Sequence, residues 1–280
     1  MERKTVLITG CNPGGIGHAL ALEFHSHNLR VFATARNPSA LTSLASKGIE
    51  TLPLELSDPS SITALRNAVA ARTGGRLDFL VNNAGRNYTV PALDVELKEI
   101  QTTFEANLFG VMLMCQAFGP LLVEAKGAIV QIGSLAGVMP YVYGSVYNAS
   151  KAALHAYSAT LRVELAPLGV RVLTIVTGGV QSQIARTHRS LPEDSFYAVV
   201  KEEYERRQTH SQQVGMPNEV YARSVVRQVL TGGKSDVWEG ALSWVAWFVV
   251  SFLPRGVMDW YMTREFKLWK LRGTATKKVQ

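Results

Sequence analysis

Six times in this 280-residue chain a short β-branched, apolar run stops at a glycine, an asparagine or another turn-forming residue and gives way to helical spacing. The runs are KTVLIT (4–9), RVFATAR (30–36), IETLPLEL (49–56), LDFLVNNAG (77–85), GAIVQIG (127–133) and GVRVLTIV (169–176). Strands that alternate with helices, joined by right-handed crossovers, build a parallel sheet covered on both faces. The expected fold class is therefore α/β, a single doubly wound parallel sheet. With 47% hydrophobic and 18% charged residues, and no internal repeat or low-complexity linker, the chain suits one large domain. We place it at 1–240, with a lid at about 181–215, followed by an apolar-aromatic and then basic extension over 241–280.

The first strand runs into GCNPGGIG and then a helical pattern, HALALEFHSH. A strand, a glycine turn and a helix N-terminus make a phosphate site, because glycine lets the backbone approach closely and the helix presents unpaired N–H groups. Gly10, Gly15 and Gly17 form that turn. The second strand ends on Arg36, not on an acidic residue, which favours a ribose 2′-phosphate over a 2′-hydroxyl, and hence NADP(H). Ser57-Asp58-Pro59 reads as a helix start. In LDFLVNNAG the asparagine amides can fix loop backbone while Ala84 and Gly85 leave room for a cofactor ring. Asn107 stands in the middle of a long apolar helical pattern, Leu97 to Ala125, where a polar amide needs a partner. Backbone bonding or water binding near the site would supply one.

Ser134 closes an apolar strand, Tyr147 follows thirteen residues later, and Lys151 four residues after that. On a helix, Tyr147 and Lys151 stack one turn apart on one face. A phenol titrates near ~10, so as an acid-base group at neutral pH it needs a cation to favour its phenolate, and Lys151 is the expected one. The chain also lacks the G-x-S-x-G elbow of an acyl hydrolase, since Asn12 stands in the glycine loop and Ser134 lies in GSLAG.

Together, TG-x-x-x-x-GIG at Thr9 to Gly17, NNAG at Asn82 to Gly85, Asn107, Ser134, Tyr147 and Lys151 make the chain resemble a short-chain dehydrogenase/reductase over nearly its whole length. Within that family, AKGAIV, GSVYNASKAALHAY, VTGGVQSQIA and LPEDSFY are most similar to fungal NADPH-dependent 1-acyldihydroxyacetone-phosphate reductases. The resemblance implies a Rossmann fold, a catalytic tetrad of Asn107, Ser134, Tyr147 and Lys151, and NADP(H) held by Gly10, Asn12, Gly15, Ile16, Gly17, Arg36, Glu55, Asn83, Ala84, Gly85, Tyr147, Lys151 and Val180. It further implies reduction of a lipid-like ketone, with a fungal secondary-metabolite ketone as the alternative and a cofactor-binding scaffold without turnover as a third reading. A homo-oligomer is expected. The chain departs from the family pattern in a glycine loop one residue longer, in Glu55 where Asp is usual, and in Thr177-Gly178 where Pro-Gly is usual. Thr177 could therefore offer a hydroxyl to the nicotinamide amide.

The net charge of +7 is dispersed until the C-terminus, which argues against nucleic acid, and no metal-ligand spacing is present. The two cysteines, Cys11 and Cys115, suit a reduced compartment, and no leader or N-terminal anchor is evident before the first strand. Residues 241–253, ALSWVAWFVVSFL, are too few to cross a bilayer, where ~20 apolar residues are needed. Their aromatic and basic flanks fit an interfacial element, or an arm packed on its own or a partner subunit. The expected location is the cytoplasmic face of the endoplasmic reticulum or a lipid droplet, or the cytosol. In the lid, ARTHRS places Arg186 and Arg189 on one face if that stretch is helical, where they could bind a substrate phosphate or simply be a solvated basic face.

Overall fold

The computed structural model describes residues 3–182, 184 and 188–273, with the backbone alone for 209–214. Its strands are β1 (Thr5–Ile8), β2 (Arg30–Ala35), β3 (Glu50–Pro53), β4 (Phe79–Asn82), β5 (Ala128–Ile132), β6 (Arg171–Thr177) and β7 (Asp236–Glu239). They form one seven-stranded sheet in the order β3-β2-β1-β4-β5-β6-β7, parallel throughout. The helices are α1 (Ile16–Ser26), α2 (Thr42–Ala45), α3 (Pro59–Thr73), α4 (Leu97–Phe104), α5 (Gly110–Ala125), α6 (Ser145–Leu165), α7 (Lys201–Val214), α8 (Asn218–Thr231), α9 (Ser243–Phe252) and α10 (Arg255–Glu265).

Strand side chains alternate between faces, and both faces are buried, so these strands are apolar at nearly every position. Val6, Ile8, Phe79 and Val81 join a core with Leu20 and Phe24 of α1 and Tyr221 and Val225 of α8. Leu7 and Leu80 face the other way, onto Leu65 of α3, Met114 and Phe118 of α5 and Leu154 of α6. The chain order reverses between β1 and β4, and a crevice opens at that point beyond the carboxyl ends of the strands. The Asp58 side chain caps α3 by accepting from Ser60 N at 2.8 Å, with Pro59 in the first turn, as its sequence indicates.

Three features differ from the sequence reading. The seventh strand, DVWE, was not anticipated, because four residues with charged ends carry no apolar run. The Leu97–Ala125 pattern is one helical path, but residues 105–109 form a π-helical turn that separates α4 from α5 and holds Asn107. This path is long and apolar enough to cross a membrane, yet half of its most apolar window is buried inside the domain, as a core helix requires. The lid is more structured than a loop: Phe196–Val200 form a 3-10 turn that leads into α7. Beyond β7, Ala241 bridges back to Gly179. Met262 and Phe266 at the end of α10 then bury themselves with Tyr143 and with Val200 and Tyr204 of the lid.

Candidate active site

The glycine loop between β1 and α1 is packed against the loop after β4. Gly10 has φ +72°, a left-handed conformation, and a Cβ there would lie 2.9 Å from Ala84 Cα. At Gly17 a Cβ would come within 2.5 Å of both Asn83 Nδ2 and Gly10 O. The Asn83 amide donates to the carbonyls of Thr9 and Gly10 at 2.8 and 3.0 Å, and the Thr9 hydroxyl accepts from the N–H groups of Asn83 and Ala84 at 3.0 and 2.9 Å. Asn83 thus braces the loop, and Thr9, whose role the sequence did not indicate, is the other half of the brace. Gly15 is the N-cap of α1 and no side chain caps it, so the first N–H groups of that helix are left for an anion. Asn12 and Ile16 lie on this same turn. This turn fits a dinucleotide phosphate: the glycines let it pack tightly against the loop after β4, and the helix end beside it has no side-chain cap.

Arg36 follows β2 directly and is exposed, at the edge where a ribose would lie. The Glu55 carboxylate accepts from the N–H and hydroxyl of Ser57 at 3.2 and 2.9 Å, closing the turn before α3. Val180 is buried and bridges to Met216. The Thr177 hydroxyl shares a 2.7 Å hydrogen bond with the Tyr221 hydroxyl inside the core. A buried tyrosine hydroxyl on α8 thus engages this threonine.

Asn107 is fully buried in the π turn. Its Oδ1 accepts from Arg86 N at 2.8 Å, and its Nδ2 donates to Arg86 O and Ser150 Oγ at 3.0 Å each. The amide therefore fixes the backbone just past Gly85, one of the two roles its sequence context suggests. A Cβ on Gly85 would lie 2.9 Å from Asn107 Oδ1 and 3.8 Å from Lys151 Nζ, so the absence of a side chain is what lets these groups converge.

Ser134 follows β5 as the N-cap of a 3-10 turn, where its hydroxyl accepts from Ala136 N at 3.1 Å and faces Tyr147 on α6 closely enough to favour its phenolate. Burial raises the Tyr147 pKa above that of an ordinary phenol, while the Ser134 hydrogen bond and the positive charge of Arg207 oppose the rise. Arg207 thus brings a second positive charge to Tyr147, besides the Lys151 that the i,i+4 spacing places beside its ring. Lys151 Nζ lies 6.0 Å from the Tyr147 ring centroid and donates to Ile132 O at 2.8 Å. Burial lowers its own pKa to about 8. His155, a further turn along α6, accepts from Ser134 N at 3.2 Å through Nε2. Burial and then the charge of Lys151 push it down to about 4, so it is neutral and acts as a prop for the serine loop. Its i,i+4 spacing from Lys151 was the signal for it.

Of the two lid arginines, Arg186 lies outside the described residues. Arg189 sits in non-helical chain, its guanidinium 3.0 Å from Glu99 Oε2 and stacked over Tyr88 at 4.7 Å. Glu99 also binds Arg86. Burial pushes that carboxyl up, but the hydrogen bond and charge of Arg86, joined by Arg189, hold it below the ordinary value. Both cysteines are free and buried, and desolvation pushes Cys11 up to about 12 and Cys115 to about 11, so neither is a ready thiolate. Among the described residues no group of three or more His, Cys, Asp or Glu is placed to hold a metal ion.

A doubly wound sheet with a phosphate cradle at its switch point, facing a serine–tyrosine pair, has the architecture of a nucleotide-dependent oxidoreductase. The short chain dehydrogenase family matches residues 4–192, and the chain belongs to it. It is 40% identical to the short-chain dehydrogenase virD of Hypocrea virens over 276 residues, 97% of this chain and 95% of that one. It is 44% identical to the NADPH-dependent 1-acyldihydroxyacetone phosphate reductase of Schizosaccharomyces pombe over 200 residues, 69% and 68% of the two chains. A short-chain dehydrogenase structure from Streptomyces avermitilis superposes with a TM-score of 0.76 at 25% identity, covering 100% of this chain and 97% of that one. Solved structures of this fold include complexes with NADP and with NAD.

Proposed function

We propose that this oxidoreductase is an NADPH-dependent carbonyl reductase. The observation that carries the reading is the convergence of Tyr147 and buried Lys151, its Nζ 6.0 Å from the phenol ring, with Ser134 beyond β5 and with Gly85 beside the glycine loop. The α1 N-terminus, the glycine loop, Ala84, Gly85 and Val180 would hold the dinucleotide, which when bound would supply the hydride. Tyr147 delivers a proton to the carbonyl oxygen and Ser134 donates a hydrogen bond to the same atom. The raised pKa of Tyr147 keeps the phenol protonated at neutral pH, the form that reduction consumes. Lys151 orients the cofactor and passes protons, and Asn107 holds the Arg86 backbone so that Gly85 stays open. Arg36, exposed after β2, supports a 2′-phosphate and hence NADP(H) over NAD(H). The NADPH dependence named for the Schizosaccharomyces pombe relative points the same way.

The substrate we favour is a lipid-like ketone, 1-acyldihydroxyacetone phosphate being the best single candidate. The exposed apolar helix α9, which follows β7, favours it. Trp244, Trp247, Phe248, Phe252 and Leu253 stand exposed there, on a helix of ten residues that is too short to span a bilayer. We infer that α9 rests on an anionic lipid surface, with Arg255 and the basic end of the chain toward the headgroups. A secondary-metabolite ketone is the second reading, favoured by similarity to virD across 97% of the chain, against 69% for the reductase. The test is NADPH consumption with acyldihydroxyacetone phosphate and with polyketide-like ketones. Turnover of the second set alone would replace the lipid reading, and turnover of none would end the reductase reading.

A further inference from the structure

Arg207 lies on the lid helix α7, yet it is only 6% exposed. Its guanidinium carbon sits 3.5 Å from the centroid of the Tyr141 ring, a face-on stack. A Cβ placed on Gly144, the N-cap of α6, would be 3.8 Å from its Nη2 and 3.1 Å from Asn148 Oδ1. Arg207 therefore stands over the start of the helix that carries Tyr147, close enough for its charge to act on that phenol. Its Nε is buried with no hydrogen-bond partner, and among the described residues no carboxylate pairs with it. The acid one turn earlier on α7, Glu203, is taken by Lys267 at 2.6 Å and Lys270 at 3.9 Å. Asn148 Oδ1 is also buried without a partner.

A buried cation without an anion is costly, and an aromatic face offsets only part of that cost. Stacking on Tyr141 occupies the face of the guanidinium and leaves Nε, in its plane, without a partner, and it is through this plane that a guanidinium binds a carboxylate or phosphate. Arg189, the lid arginine first suspected of such a role, is already paired with Glu99. We propose that Arg207 is the specificity residue that receives an anionic group of the ketone substrate, placing the carbonyl against Tyr147 and Ser134. This rests on the carbonyl reductase reading and deepens it by adding an acidic substituent to the substrate.

The experiment compares Arg207→Met and Arg207→Lys with the parent protein on two matched pairs. One is acyldihydroxyacetone phosphate with its dephosphorylated analogue, and the other is a β-keto acid with its ethyl ester. The parent protein should favour the anionic member of one pair, which also tells phosphate from carboxylate. Arg207→Met should lower that preference in kcat/KM by about tenfold or more, with Arg207→Lys between the two. A ratio is insensitive to partial unfolding. Calorimetric titration of the same ketones keeps the preference measurable if none is reduced, and reduction of the neutral members tests the reductase reading separately. An unchanged ratio in Arg207→Met, or no preference in the parent protein, overturns the assignment. An equal loss on both members with a shifted pH–rate profile also overturns it and makes Arg207 a residue that tunes Tyr147.

Discussion

The cofactor edge and the lid that faces it are built from different physics. At the cofactor edge a net of hydrogen bonds fixes the loops, although His18 Nδ1 and Asn82 Oδ1 are buried there without a partner: Asn83 and Thr9 brace the glycine loop, Asn107 clamps Arg86, and His155 props Ser134. On the lid side, cohesion comes from an aromatic cluster in which Tyr143 meets Tyr197, Tyr204 and Phe266 edge-on at 5.5–6.0 Å. There the hydroxyl of Tyr143, Asn148 Oδ1 and Arg207 Nε are left buried and unsatisfied. Hydrogen bonds within the chain shape the cofactor edge, whereas packed rings shape the lid side. A site that reads a substrate keeps atoms unpaired until the substrate comes, and so carries the cost of desolvating them.

Breaking the chemistry at the shared boundary should have the largest effect. Tyr147→Phe keeps the ring and removes the acid, so kcat should fall by roughly 10²–10⁴-fold with little change in thermal stability. Near-parent turnover would remove Tyr147 from the proton path. Met262→Ala, at the junction of α10 and the lid, should cost about 2–5 kcal/mol of local packing. Hydrogen exchange should then speed up in residues 196–214 while β1 and β4 stay protected, and uniform loosening would show that the two regions are not separate.

His155 gives the cofactor edge a pH signature. Its folded value of about 4 lies below the unfolded 6.5, so the unfolded chain binds more protons between these limits. The neutral form's stability is complete above pH 6.5 and is lost as pH falls toward 4, by roughly 3 kcal/mol in total. Denaturant titrations of His155→Gln, which keeps an acceptor but does not titrate there, should show a shallower slope in that window. An unchanged slope would move the acid sensitivity elsewhere. Arg36→Leu should shift the NADPH over NADH preference by about tenfold or more through a lost charge-assisted contact, measured as the ratio of the two kcat/KM values. A shift under about threefold would count against that contact. The smallest stability change, within about 0.5 kcal/mol, is expected from Trp244→Ser with Trp247→Ser and Phe248→Ser, because these side chains are exposed. The same variant should stop sedimenting with anionic vesicles at low salt, and a parent protein that never sediments would dismiss the lipid surface.

What the sequence determined by itself is what short spacing can encode. Apolar runs ending in turn residues set a doubly wound parallel sheet, the glycines of residues 10–17 set a phosphate cradle, and Tyr147 and Lys151 at i,i+4 had to share a helix face. The partner of Asn107 was half legible, since a buried amide must bond, but only the π turn shows that it bonds to Arg86. The tertiary structure alone decided which charges meet. Lys151 stands 6.0 Å from the Tyr147 ring, as neighbours on one helix face must, but only the packed lid brings the charge of Arg207, sixty residues on in sequence, to the same phenol. By its sequence Arg189 could be a phosphate ligand or a solvated charge, whereas in the fold it is held by Glu99, ninety residues away. The same holds for β7, whose four residues become a strand because Val176 and Thr177 offer Trp238 and Glu239 an edge to pair with. Periodicity records what a residue shares with its own element, whereas pairing of charges and sheet edges depends on which distant elements the packed core brings together.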